Sequence, residues 1–113
     1  MTTQEINNQI RSGKLDKETL LFVLKNIGAI ECQSYAAINQ EVKEAAKNVY
    51  QYVCCLLEML PEQEAEIMRG LYKEKKTWSF ICDTLYISKN TLARYKDKAI
   101  QRMLDIANGF ERS

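Results

Sequence analysis

A chain of 113 residues, 46% of them hydrophobic and 27% charged, is one domain or a small domain with an appendage, with apolar material enough for a core. Its net charge of +1 does not by itself mark a nucleic-acid binder, and no apolar run is long enough to span a bilayer. The opening MTTQEINNQIRSGKLDKE has no apolar signal-peptide core, so a cytoplasmic protein with no membrane partner is expected.

The residue inventory also excludes several chemistries. There is no histidine, hence no His-based nucleophile pair or general base, and no Gly-rich phosphate loop. Cys32, Cys54, Cys55 and Cys82 form no CxxC pair, so a zinc site would need all four at unsuitable spacing. The adjacent Cys54 and Cys55 are expected to be reduced thiols packed as small hydrophobes. Glu62, Glu64 and Glu66 alternate rather than share a helix face. No catalytic residue, metal or cofactor is expected, and the chain does not read as an enzyme.

In chain order, Met1 to Ser12 offers only Ile6 and Ile10 as an apolar pair, which fits a short helix or a mobile arm. Ser12-Gly13-Lys14 breaks that pattern. Asp16 can cap a helix running to about Ile27, with Leu20, Leu24 and Ile27 on one face and Leu21 and Val23 beside them. Gly28 is expected to end it. A long helix from about Glu31 to Leu60 follows. Tyr35, Ile38, Val42, Ala45, Val49, Tyr52, Leu56 and Met59 recur every three or four residues, a sustained heptad pattern. Ala46, Val53, Leu57 and Leu60 widen that face, so an internal core helix and a homodimer through the 31–60 helix both fit. Pro61 marks a boundary between an N-terminal helical region, 1–59, and a second region, 60–113. It also suits the first turn of a helix whose early Glu62, Glu64 and Glu66 favour the positive end of the helix dipole. Ile67, Met68, Leu71 and Tyr72 would be the buried face of that helix.

Thr77 to Ala107 organises the rest. It reads as a short helix, Thr77–Leu85, with Trp78, Ile81, Cys82 and Leu85 on one face, then a corner at Tyr86-Ile87. Ser88 is a good N-cap for a longer basic helix, on which Leu92, Ala99, Met103 and Ile106 share a face edged by Tyr95 and Ile100. Asn90, Arg94, Asp97 and Gln101 point the other way, with Thr91 and Lys98 on one flank. The chain beyond Ala107 is polar and expected to fray. No segment alternates with period two for long, so the fold class is all-α, about five helices. Charge follows the same division. Lys73 to Arg102 holds eight basic residues against three acidic, a local +5, whereas Met1 to Met59 holds six basic against seven acidic.

Leu60 to Met103 resembles region 4 of the sigma-70 class of bacterial transcription factors. The family's Leu-Pro-acidic opening is matched by Leu60-Pro61-Glu62-Gln63-Glu64, its next apolar pair and tyrosine by Ile67-Met68 and Tyr72, and its hydroxyl-aromatic pair by Thr77-Trp78. Its turn and helix start, Leu-Gly-[Ile/Val]-Ser-x-x-Thr-Val, is matched by Leu85 to Leu92, and its closing basic-Ala-Leu-x-x-Leu by Lys98 to Met103. There are departures. Phe80-Ile81-Cys82 replaces Glu-Ile-Ala, Tyr86 replaces the turn glycine, and Lys75 stands where glycine is common. Tyr95-Lys96 followed by Lys98-Ala99-Ile100 is similar to phage late regulators of the ArpU and RinA type.

The resemblance implies a sequence-specific double-stranded DNA-binding transcription regulator, with a C-terminal helix-turn-helix preceded by the heptad-patterned helix. Arg94 would read guanine and Asn90 adenine, with Lys89 and Thr91 on nearby edges or phosphates. Lys76, Thr77, Trp78 and Lys98 would hold the backbone, and Asp97 would orient Arg94 or accept from cytosine. It also implies contact with RNA polymerase. The chain lacks room for a promoter-melting region, so recruitment rather than replacement of a sigma factor is expected. A different class also fits the heptad pattern and modest charge: a non-enzymatic protein-interaction adaptor, such as a phage DNA-packaging or anti-sigma-like protein.

Overall fold

The computed structural model of the chain describes residues 1–109, all-helical and without a strand among them. Seven α-helices follow in order: α1 (Thr3–Arg11), α2 (Lys17–Lys25), α3 (Ile27–Ala36), α4 (Gln40–Glu58), α5 (Glu62–Met68), α6 (Trp78–Leu85) and α7 (Lys89–Gly109). A π-helical turn, Arg69–Lys73, extends α5. No helix among the described residues is long and apolar enough to cross a membrane.

The starts of these helices follow from local chemistry. Thr2 and Glu5 form a reciprocal capping box, each side chain accepting the other's backbone N–H at 3.1 Å, so 1–12 forms a helix rather than an arm. Asp16 caps α2 as expected, its Oδ1 accepting the Thr19 N–H at 2.8 Å. This bond, first among the causes, holds the Asp16 carboxyl below the usual carboxylate range.

Three expectations are corrected. The count of about five helices becomes seven, because the first residues form a helix and the stretch 16–60 holds three helices rather than two. Gly28 does not end a helix; α2 stops at Asn26, and Gly28 lies inside α3 with open space where a Cβ would be. The long helix is broken at Ala37–Asn39. There Ala37 is extended and Asn39 caps α4, its Oδ1 accepting from Glu41 N–H at 2.8 Å and Val42 N–H at 3.2 Å. Of the heptad positions, Tyr35 and Ile38 beside the break and Met59 at the end of α4 are exposed, while Ala45, Val49 and Leu56 face the chain's own interior.

Two apolar clusters result. The larger joins α1, α2, α3 and α4 to α5, the π turn and the second half of α7, through residues such as Ile6, Leu24, Val53, Met68 and Met103. It spans both sides of the Pro61 boundary. The smaller consists of Ile67, Ile81, Cys82 and Leu92, with Leu71, Leu85, Ile87 and Tyr95 around it. One helix, α7, contributes to both. Its far end is tied down by Asn108, whose Oδ1 accepts the Leu15 N–H at 2.8 Å and whose Nδ2 donates to the Leu15 carbonyl at 2.6 Å. The expected fraying after Ala107 is thus corrected as far as Gly109, and its remainder lies outside the described residues. Another correction concerns Cys54 and Cys55: the first is half-buried and the second exposed, and of the four free thiols only Cys82 is in the core.

Candidate nucleic-acid interface

The segment that connects the π turn to α7 is built from local caps. Thr77 Oγ1 accepts the Phe80 N–H at 3.1 Å and so starts α6. Ile81 and Cys82 anchor α6 from below, with Leu85 half-buried. Trp78, expected on that buried face, is 37% exposed instead, because it opens the helix at the edge of the small cluster. Tyr86 ends α6 in left-handed backbone, φ 57° and ψ 44°, and both its N–H and that of Ile87 reach Cys82 O. Ser88 then caps α7, its Oγ accepting the Thr91 N–H at 3.1 Å and donating to Thr91 Oγ1 at 3.0 Å.

From this start Leu92, Ala99, Ile100 and Met103 bury one side of α7. The opposite side presents Asn90, Arg94, Asp97, Lys98 and Gln101 to solvent. Thr91, Arg94, Tyr95 and Lys98, one turn apart, line a single shallow depression of about 160 Å³. A larger groove of about 420 Å³ runs between α5 and α6, with Ile67, Ile81 and Leu85 in its floor and Glu62, Glu66 and Glu74 on its rim, so Glu62 and Glu66, four apart, share a face of α5 after all.

The eight basic residues of 73–102 have unequal roles. Lys73 lies 5.6 Å from the Tyr50 ring centroid and 3.9 Å from Cys54 Sγ. Lys75 donates to the Lys25 carbonyl at 3.1 Å, and its own backbone is left-handed, φ 56°. Lys76 pairs with Glu74 at 2.9 Å and sits 5.1 Å from the Phe80 ring centroid. Lys96 lies 5.7 Å from the Trp78 ring centroid, which joins the start of α6 to the middle of α7. Arg102 makes two bonds to Glu64, Nε to Oε1 at 3.0 Å and Nη2 to Oε2 at 3.2 Å, and this raises the guanidinium pKa further. Only Lys89, Arg94 and Lys98 remain exposed without an intramolecular hydrogen bond, ion pair or ring contact among the described residues.

Of the residues expected to touch DNA, Thr91, Arg94 and Lys98 are brought together, and Lys89 and Asn90 stand on the first turn of the same helix. Lys76, Thr77 and Trp78 are joined to them only through Lys96, with Lys76 neutralised and Thr77 used as a cap. Asp97 forms no ion pair with Arg94; its charge acts on Tyr72, whose hydroxyl is pushed up by burial first and by Asp97 second. Sequence reasoning missed the Glu64–Arg102 clamp and placed Arg102 in the basic patch, since nothing local links residues 38 apart. Among the described residues no three Cys, Asp or Glu side chains gather at metal-binding distance. No protein-family model matches this chain, and neither does any curated protein or solved structure.

Proposed function

We propose that the protein is a non-enzymatic regulator that binds double-stranded DNA in a sequence-dependent manner, with α6, the Tyr86–Ser88 turn and α7 acting as a helix-turn-helix. The observation that carries this reading is the row of unpartnered polar side chains on α7. Lys89, Asn90, Arg94 and Lys98 are exposed on a helix whose other side is locked into two apolar clusters. Long cationic side chains without internal partners lose little on meeting phosphate or guanine, whereas Lys76 and Arg102 would first have to leave a carboxylate.

A second observation supports the resemblance to sigma region 4. Tyr86 stands where that family has its turn glycine and Lys75 where glycine is common in it, and among the described residues these are the two non-glycine residues with left-handed backbone. The backbone course that glycine would permit is thus kept by other residues. In this reading Arg94 pairs with guanine, Asn90 with adenine, and Lys89, Thr91 and Lys98 with neighbouring edges or phosphates. The protein would act beside RNA polymerase, recruiting it to the bound site.

The test is selection of bound sequences from a random duplex pool at near-physiological salt, by native protein and by Arg94→Ala. Loss of one bidentate contact should weaken binding by about 1–3 kcal/mol and relax preference at one base position. Unchanged affinity and unchanged preference would refute the role given to Arg94.

A further inference from the structure

Left-handed backbone crowds the Cβ of any L-residue, so each of the two non-glycine residues that adopt it among the described residues calls for a reason. Lys75 has one inside the molecule. Its ammonium donates to the last carbonyl of α2, Lys25 O, and so ties the link before α6 to the N-terminal helices. Tyr86 has none. Its side chain is 95% exposed and makes no hydrogen bond or ring contact among the described residues. The turn itself needs only the backbone N–H groups of Tyr86 and Ile87 on Cys82 O, which glycine would supply with less strain.

The other exposed aromatics at this end differ. Phe80 and Trp78 each have a lysine ammonium over the ring. Tyr86 alone among them is a bare ring on a strained residue, and it stands beside the start of the exposed basic helix. Only Ile87 separates it from Ser88, a span of at most about 7 Å between Cα atoms. Tyr86 and the capped first turn of α7 therefore stand at the same end of the motif.

We infer that Tyr86 is a DNA-backbone contact, its ring laid on a deoxyribose and its phenol hydroxyl donating to a phosphate oxygen at the edge of the site entered by α7. This rests on the DNA-binding reading above. A neutral phenol fits the role: it adds a hydrogen bond and an apolar contact without displacing a counterion, and so fixes register rather than steering approach.

The experiment compares native protein, Tyr86→Gly, Tyr86→Phe and Arg94→Ala in binding to duplexes recovered from a random pool, across a salt series, with thermal melts of each variant. Tyr86→Gly is expected to melt at or above the native temperature while binding about five-fold more weakly, the scale of one hydrogen bond. Its sequence preference and salt slope should match the native ones, and Tyr86→Phe should lie between. Binding by Tyr86→Gly within two-fold of native, while Arg94→Ala binds poorly, overturns the Tyr86 contact and leaves the DNA-binding reading standing. A Tyr86→Gly that melts lower in step with weaker binding overturns it too, since Tyr86 would then serve the fold. A changed base preference would place the ring on a base edge and likewise overturn the backbone contact. If the native protein retains no duplex at all, both inferences fall together.

Discussion

Replacing Leu92 by alanine probes the small cluster that holds α6 against α7. Leu92 is fully buried against Ile67, Ile81 and Cys82, whereas the larger cluster receives α7 further along, at Ala99, Ile100 and Met103. Losing three carbons removes about 2.4 kcal/mol of transfer free energy, at roughly 0.8 kcal/mol per methylene. If about 40 Å³ of the void stays unfilled, the cavity adds about 1 kcal/mol at ~24 cal/mol per Å³. The cost is thus about 3 kcal/mol, a large share of the ~5–15 kcal/mol of a domain this size. Denaturant titration gives the total, and hydrogen exchange locates it. Amides of α6 should lose more protection than those of α4, because α4 is held by the cluster that Leu92 does not join. A cost below about 1 kcal/mol would mean that the site collapses freely or that Leu92 is not enclosed as described. Equal loss of protection in α4 and α6 would refute the division into two clusters.

Two further outcomes follow from polar pairs. Glu64→Met or Arg102→Met alone should lower the denaturation midpoint, the latter by leaving a buried carboxylate without its cation, while the two together should recover much of the loss. Additive effects in that cycle would show that the two side chains are not coupled. Asp16 gives α2 a pH dependence whose sign is set by its lowered folded-state pKa. The stabilisation is fully present above the unfolded value of about 3.9 and disappears as pH falls through the lower folded value. Asp16→Asn, which keeps a cap acceptor, should leave the neutral-pH melting temperature nearly unchanged and flatten its decline below about pH 4. Glu5, held low by its bonds to Thr2, leaves a residual slope of the same sign. An unaltered acid profile in the variant would remove Asp16 from the account.

What was legible had local signals. Asp16 and Ser88 act as caps within three residues of themselves, and the apolar spacing of α7 correctly divides its buried and exposed sides, whereas Thr77, expected on DNA, turned out to be a cap as well. The first half misled for a reason that is also physical. Tyr35, Ile38 and Val42 continue a heptad spacing across a break, and periodicity records which residues could share a face, not whether the backbone continues. Asn39 carried the competing signal, a side chain able to satisfy the first amides of a new helix. Gly28 misled in the opposite direction, since a glycine tolerated within a helix looks like one that ends it.

The candidate interface divides in the same way. Which residues α7 turns outward follows from spacing at about 100° per residue, so Asn90, Arg94 and Lys98 could be named from the chain alone. Which cations remain unpartnered could not. Eight basic residues look alike in sequence, yet Arg102 meets Glu64 across 38 residues, Lys75 meets a carbonyl 50 residues earlier, and Lys73 and Lys96 lie over rings on other helices. Sequence by itself determined the helical class, the caps at Asp16 and Ser88 and the two-sided character of α7, because these depend on neighbours within a turn or two. Only the tertiary structure decided where the long apolar stretch breaks and which charges remain unpartnered, because both depend on surfaces brought together from distant parts of the chain.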